Sequence, residues 1–101
     1  MRIRALSVLL MLLAAACTGP ADPNASGDEL YAQFCARCHG VELGGGVGPA
    51  LGADSPAVER SDTYLADAIG NGRGSMPAFG NTLSDVQIDR VVDFIRAEQG
   101  P

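Results

Sequence analysis

The segment Cys35-Ala-Arg-Cys38-His39 decides the fold of this 101-residue chain. A Cys-x-x-Cys pair followed directly by His is the pattern of covalent haem c attachment. On a helix, residues at i, i+3 and i+4 share one face, so Cys35 and Cys38 can each bond a haem vinyl group while His39 projects towards the iron as an axial ligand. The segment therefore predicts one covalently bound haem.

Three other uses of a closely spaced cysteine pair fit this chain less well. A thioredoxin-like dithiol is expected beside a βαβ pattern, and no strand is predicted here. Structural zinc takes four ligands, and this sequence has no second ligand pair to supply them. A plain structural disulfide is the third alternative.

Capping boxes predict the starts of the first and last helices. Ser26 and Glu29 form one ahead of apolar residues at helical spacing, which predicts a helix over about residues 27–37. Ser84 and Gln87 form the other. The last helix then places apolar residues at i, i+3, i+4 and i+7, namely Ile88, Val91, Val92 and Ile95.

A third helix and the helix ends are predicted from single residues. Ser61 or Asp62 can cap a short helix that ends at Gly70, and Gly100 ends the last helix. Residues 40–60 and 71–83 are rich in glycine and proline, so we expect loops, with one helical turn opened by Ser55-Pro56.

These signals predict an all-α fold, with three to four short helices wrapped around one haem and joined by long Gly/Pro-rich loops. The chain has only five aromatic residues and no Trp. A domain of this size buries too little surface to be stable without an additional staple. We therefore expect the covalent haem to fill the middle of the fold.

Met76 is the predicted sixth ligand of the iron. After residue 16 the chain contains one His, one Met and no Lys, which leaves Tyr31, Tyr64 or water as the alternatives. Met76 lies in the loop Gly74-Ser-Met-Pro-Ala-Phe79, where glycine and proline can present a thioether to a haem face. Methionine more commonly fills gaps in a core, but no helical stripe surrounds this one.

The N-terminal segment has the layout of an export signal. Arg2 and Arg4 precede an apolar run at residues 5–13 that is shorter than a membrane span, and three alanines follow it. We therefore predict a signal peptide over residues 1–16 and a location on the periplasmic side of a membrane.

Cys17 directly follows that segment and predicts a lipid anchor. An alanine-rich site ending in Cys resembles a bacterial lipobox, although its three alanines also fit an ordinary A-x-A cleavage site. An unpaired exported cysteine needs an explanation, and lipid attachment provides one. Residues 17–26 have linker composition and would form the tether, and residues 27–101 would form the domain.

The charge balance indicates the class of partner. After residue 16 the chain has five Arg against twelve Asp and Glu, so nucleic acid is not an expected partner. An acidic surface either steers the protein towards a basic docking patch on another protein or serves solubility.

The order and spacing of several motifs resemble class I bacterial cytochromes c. The matching motifs are Gly27-x-x-x-Tyr31-x-x-x-Cys35-x-x-Cys38-His39-Gly40, Gly48-Pro49-x-Leu51 and Met76-Pro77-x-Phe79. The resemblance covers nearly all of residues 27–98 and implies the small cytochrome c fold.

The resemblance also implies further haem-site residues. The carbonyl of Pro49 would accept a hydrogen bond from Nδ1 of His39 and orient the ring, unless Pro49 is only a turn residue. Leu51 and Phe79 would be apolar haem contacts, or else ordinary core residues. Apart from the resemblance, the position of Arg73 in the loop before Met76 suggests that it pairs with a haem propionate, unless it remains solvated.

In that family the first and last helices cross where a glycine meets an aromatic residue. Here the pair would be Gly27 and Phe94. Members of the family often carry Tyr or Trp at the second position, so the packing is expected without a hydrogen bond from the side chain.

We therefore expect a one-electron carrier, not an enzyme, that moves electrons between respiratory or periplasmic redox partners. Ligation by His39 and Met76 would fill both axial positions and leave none for oxygen or peroxide. A terminal oxidase, a quinol-oxidising complex or a dehydrogenase would be suitable partners. The alternatives are a small peroxidase or gas sensor with a labile sixth position, and a tethered subunit that relays electrons inside a complex.

Overall fold

The fold is built from short helices and long connections. The computed structural model describes residues 21–101; the predicted signal peptide and Cys17 lie outside the described residues. The helices are α1 (Gly27–Phe34), α2 (Ala36–His39), α3 (Asp62–Asn71) and α4 (Asp85–Gln99), with a 3-10 turn at Pro56–Glu59. Within residues 21–101 there is no β-strand, only an isolated bridge between Arg73 and Met76. The all-α prediction is confirmed.

The predicted helix starts are confirmed by their capping contacts. At α1 the backbone N–H of Ser26 donates to Glu29 Oε1 at 3.2 Å. At α4 the backbone N–H of Ser84 donates to Gln87 Oε1 at 2.8 Å, and Ser84 Oγ accepts from the backbone N–H of Gln87 at 3.2 Å. Each box satisfies backbone donors that a helix start leaves unpaired.

The first predicted helix is not continuous. It breaks at Cys35, which has φ −113°, and resumes as α2 up to His39 instead of ending near residue 37. The carbonyl of Cys35 accepts from the N–H of Cys38 at 3.2 Å and from that of His39 at 3.0 Å. The kink therefore starts a new helical turn at the first cysteine of the attachment motif.

The predicted end of α3 at Gly70 is also wrong. The helix continues to Asn71, and Gly72 ends it with φ +75° and an N–H that donates to the carbonyl of Ala68. A positive φ is the conformation that stops a helix and that only glycine adopts without strain. Gly70 keeps helical geometry, and the stop lies two residues further on.

The crossing of α1 and α4 occurs at Gly27, as the family resemblance implied. A Cβ atom at this position would lie 2.2 Å from the carbonyl oxygen of Arg90 and 3.0 Å from Cβ of Phe94. One turn further along, the rings of Tyr31 and Phe94 pack with centroids 5.2 Å apart. The glycine thus lets two helix backbones touch, which fixes the frame around the site.

The hydrophobic core follows the apolar face predicted for α4. All core side chains are at most 6% exposed, and the central ones come from three helices: Leu30, Tyr31, Leu65, Ile69, Ile88, Val91, Val92 and Ile95. Residues at i, i+3, i+4 and i+7 lie on one face of a helix, which explains the pattern.

Part of the predicted tether lies against α4. The side chain of Gln87 donates to the carbonyl of Asp22, and Arg90 donates to the carbonyls of Pro23 and Ala25. Ala25 is buried in the core. The division of the chain into signal, tether and domain stays a prediction. Across residues 21–101 we find no helix with the length and apolar character needed to cross a membrane.

Candidate functional site

A cavity of about 370 Å³ lies beside α2 and is walled by α3 and by residues of the segments 47–60 and 73–77. Its volume is in the range of sites that bind organic cofactors. Five of the predicted site residues line it: Cys38, His39, Pro49, Leu51 and Met76. The chain thus brings an imidazole, a thiol and a thioether to one largely apolar space.

His39 is held by backbone groups of the loop that follows α2. Its side chain is 8% exposed, and Nδ1 lies 2.8 Å from the carbonyl oxygen of Pro49. A carbonyl can only accept, so the contact places a proton on Nδ1, and in this tautomer of the neutral ring Nε2 has the lone pair needed for a metal. This contact is the hydrogen bond that the family resemblance implied.

The two cysteines occupy different environments. Cys38 is partly exposed and lines the cavity, whereas Cys35 is buried in the core and is not part of the lining. Burial raises the pKa of the Cys35 thiol to about 11, and the nearby Cys38 adds to the shift. Reactive redox thiols have lowered pKa values, so Cys35 does not have the environment of a nucleophilic thiol.

Met76 is presented by a loop that is fixed at both ends to neighbouring backbone. Its N–H donates to the carbonyl of Arg73 at 2.8 Å, and further on Phe79 and Gly80 donate to the last carbonyls of α3, those of Ile69 and Gly70, both at 2.9 Å. The thioether is half-buried and lines the cavity. The loop therefore has a defined shape without any regular secondary structure.

The two predicted apolar haem contacts, Leu51 and Phe79, lie in different environments. Leu51 lines the cavity, but Phe79 does not; its ring packs edge-on against Phe34, with centroids 5.9 Å apart. The position of Phe79 therefore matches the alternative of a packing residue, which here ties the Met76 loop to the end of α1.

A stacked group of one tyrosine and two arginines was not predicted as a unit. The guanidinium carbons of Arg60 and Arg73 lie 4.8 and 4.7 Å from the ring centroid of Tyr64, and all three residues line the cavity. In the described residues the sole ion pair joins Arg96 and Asp62, so neither stacked arginine has a carboxylate partner there. The group can therefore bind carboxylates. Arg60 and Tyr64 are four residues apart, which is the only sequence signal for it.

The last residues of α4 bind the outer wall of the cavity, which consists of the 3-10 turn and the start of α3. Arg96 pairs with Asp62 at 2.7 Å and donates to the carbonyls of Ala57 and Arg60. Gln99 Nε2 donates to the carbonyl of Leu51 at 2.9 Å. These bonds fix the 3-10 turn and the start of α3 relative to the last helix.

Comparison with known proteins gives a consistent result over this region. The family model described as cytochrome C oxidase, cbb3-type, subunit III matches residues 22–95. Cytochrome c55X of Stutzerimonas stutzeri is 35% identical over 88 residues, which cover 86% of this chain and 78% of that protein. The cytochrome c subunit of 4-cresol dehydrogenase [hydroxylating] from Pseudomonas putida is 34% identical over 93 residues, covering 89% and 76%.

A solved structure shares the same architecture. Cytochrome c6 from the diatom Phaeodactylum tricornutum superposes with a TM-score of 0.62 at 26% identity, covering 72% of this chain and 90% of that one.

Proposed function

Because this chain belongs to the c-type cytochromes, we propose that it carries single electrons on a haem whose iron is held by His39 and Met76. A c-type cytochrome of this family is an electron carrier that binds haem c covalently, and it is not an enzyme. Cys35 and Cys38 have the spacing of the attachment site. When bound, the haem supplies a one-electron iron couple.

The observation that carries the proposed ligand set is that one cavity collects both candidates. His39 and Met76 are the sole His and Met after residue 16, they lie on separate segments, and both line the same space. His39 is fixed through Nδ1, and Met76 is fixed through the backbone of its loop. Preset ligands of this kind suit electron transfer, because little has to move when the charge of the site changes.

The neighbouring residues complete the proposed haem site, and all of them except Phe79 line the cavity. Pro49 holds the imidazole, Leu51 supplies apolar wall, and Phe79 supports the Met76 loop from behind. Arg60 and Arg73, which both contact the ring of Tyr64, are suited to the carboxylate groups of a haem. The cavity thus offers an imidazole, a thioether, the thiol of Cys38, an apolar wall and two guanidinium groups.

Replacing Met76 by alanine is expected to lower the reduction potential and to let carbon monoxide bind the reduced protein. Methionine–histidine ligation raises the potential of a haem, and removing the thioether leaves the sixth position open. A redox titration and a carbon monoxide difference spectrum measure both effects. Ser75→Ala is the matched control, since Ser75 neighbours Met76 and also lines the cavity; it should leave both properties unchanged.

Two outcomes would contradict this ligand assignment. One is an unaltered spectrum and potential in Met76→Ala. The other is rapid stoichiometric binding of carbon monoxide by the unmodified reduced protein, which would favour a gas sensor or a small peroxidase with a labile sixth position.

We propose further that the carrier works outside the cytoplasm and exchanges electrons with redox partner proteins such as an oxidase, a quinol-oxidising complex or a dehydrogenase. Support for a dehydrogenase comes from a relative that is itself the cytochrome c subunit of one. Residues 1–16 would direct export, and Cys17 would carry a lipid anchor ahead of the tether. Affinity capture of the tagged protein from its native membrane would identify the partner.

In a detergent phase-partition assay, replacing Cys17 by serine is expected to move the protein from the detergent phase to the aqueous phase without loss of haem. The lipid would be attached to the sulfur of this residue, whereas the haem is bound elsewhere. Intact mass of the two proteins counts acyl chains and haem in one measurement. A native mass that contains haem but no acyl chain would contradict the anchor.

A further inference from the structure

The loop after α2 folds back and covers the imidazole of His39 with backbone. The N–H of Gly48 donates to the carbonyl of Cys38 at 2.7 Å, and the N–H of Gly45 donates to the carbonyl of His39 at 2.7 Å. Pro49 then holds Nδ1. The ring is therefore packed against residues 48 and 49 as well as being hydrogen-bonded to one of them.

Gly48 makes the closest of these contacts. A Cβ atom there would lie 3.0 Å from Cε1 and 3.1 Å from Nδ1 of His39, and 3.3 Å from the carbonyl oxygen of Cys38. Ordinary van der Waals contacts of a Cβ lie between 3.4 and 4 Å. The backbone of Gly48 lacks the positive φ that favours glycine, so conformational strain does not account for this residue. What glycine provides here is room for the ring.

We propose that Gly48 is a positioning residue that sets the orientation of the His39 imidazole. The inference rests on the proposed function, in which His39 is an iron ligand. The absent side chain leaves the space that the ring fills, and the carbonyl of Pro49 fixes the nitrogen at its edge. A methyl group at residue 48 would push the ring by a few tenths of an ångström, and the hydrogen bond at Nδ1 would lose alignment.

The orientation of this ring matters for the bound cofactor. A ligand imidazole binds the metal through one nitrogen and can donate a hydrogen bond from the other. That hydrogen bond sets the tautomer, the ring plane and the basicity of the nitrogen that binds the metal. A displaced ring therefore changes both the electron distribution in the ferric haem and its reduction potential. A residue with a merely structural role would change stability alone.

The experiment compares Gly48→Ala with Gly46→Ala in the haem-loaded protein. Gly46 is the matched control, because it lies in the same loop, has no positive φ, and its Cβ would meet the carbonyl oxygen of Cys38 at the same 3.3 Å but would not touch the ring. The readouts are the paramagnetically shifted haem methyl resonances of the ferric protein and the reduction potential. We expect both to shift in Gly48→Ala and neither to shift in Gly46→Ala.

A spectrum of Gly48→Ala that superposes on that of the unmodified protein would overturn the inference, as would equal shifts in both variants. If Gly48→Ala does not fold, the inference can still be tested by NMR on the unmodified protein in its ferrous, diamagnetic state. A nuclear Overhauser contact between the Gly48 α protons and His39 Hε1 supports the inference, and its absence overturns it. Failure of the proposed function is separable, because it would appear as missing methionine or histidine ligation in the unmodified protein.

Discussion

Replacing Gly27 by alanine is expected to destabilise the protein by about 3 kcal/mol or more, the upper range for overpacking a tight contact. The added Cβ would lie 2.2 Å from the carbonyl oxygen of Arg90, and a backbone atom cannot rotate away as a side chain can. Either α1 and α4 separate or one of them shifts. A small domain has only about 5–15 kcal/mol of total stability, so much of it would be lost.

Gly70→Ala is the matched control for this prediction. Gly70 also lies in a helix that packs against α4, but its Cβ would meet only Cδ1 of Ile88, at 3.7 Å. Alanine favours helix over glycine by up to about 1 kcal/mol, so this variant should be neutral or stabilised. Denaturant unfolding of the haem-loaded proteins, followed by circular dichroism, measures both. Equal stability of the two variants would contradict the prediction, because it would mean that α1 and α4 can move apart at their crossing without loss of stability.

Replacing Gly72 by alanine is expected to displace Met76 from the cavity and to give the spectral and redox changes of Met76→Ala. A Cβ at residue 72 would lie 2.6 Å from the carbonyl oxygen of Met76, and the φ of +75° with ψ of 168° adds a cost of about 1–3 kcal/mol for any other residue. The loop can relieve the clash only by moving the backbone that carries the thioether.

Gly74→Ala separates the two causes. Gly74 also has a positive φ, +54°, but its Cβ would meet nothing within 4 Å. This variant therefore includes the conformational cost without the clash, and it should retain a normal potential and exclude carbon monoxide. Carbon monoxide binding by both variants would mean that backbone strain alone controls the loop.

The features that were predictable from the sequence are those in which the determining residues are close together along the chain. The capping boxes at Ser26 and Ser84 involve groups three residues apart, and the apolar face of α4 repeats within one helix. The attachment motif likewise fits within two helical turns. In each case local geometry alone places the side chains together.

The features that were missed depend on contacts between distant segments. Arg73 reaches Tyr64 because the chain reverses direction at Gly72, and no local pattern encodes that encounter. Phe79 packs against Phe34, and the sequence left open whether it is a haem contact or a core residue, because this contact also joins distant segments. The end of α3 was misplaced because two glycines two residues apart look alike in sequence, and only one adopts a positive φ.

The clamp at the end of α4 has a consequence for the order of folding. Arg96 and Gln99 bind carbonyls of residues that precede them by 39 and 48 positions, so the contacts close long loops. Closing a long loop costs chain entropy before any contact compensates for it, which delays such contacts relative to local helix formation. The outer wall should therefore form later in folding than the individual helices, whose contacts are local.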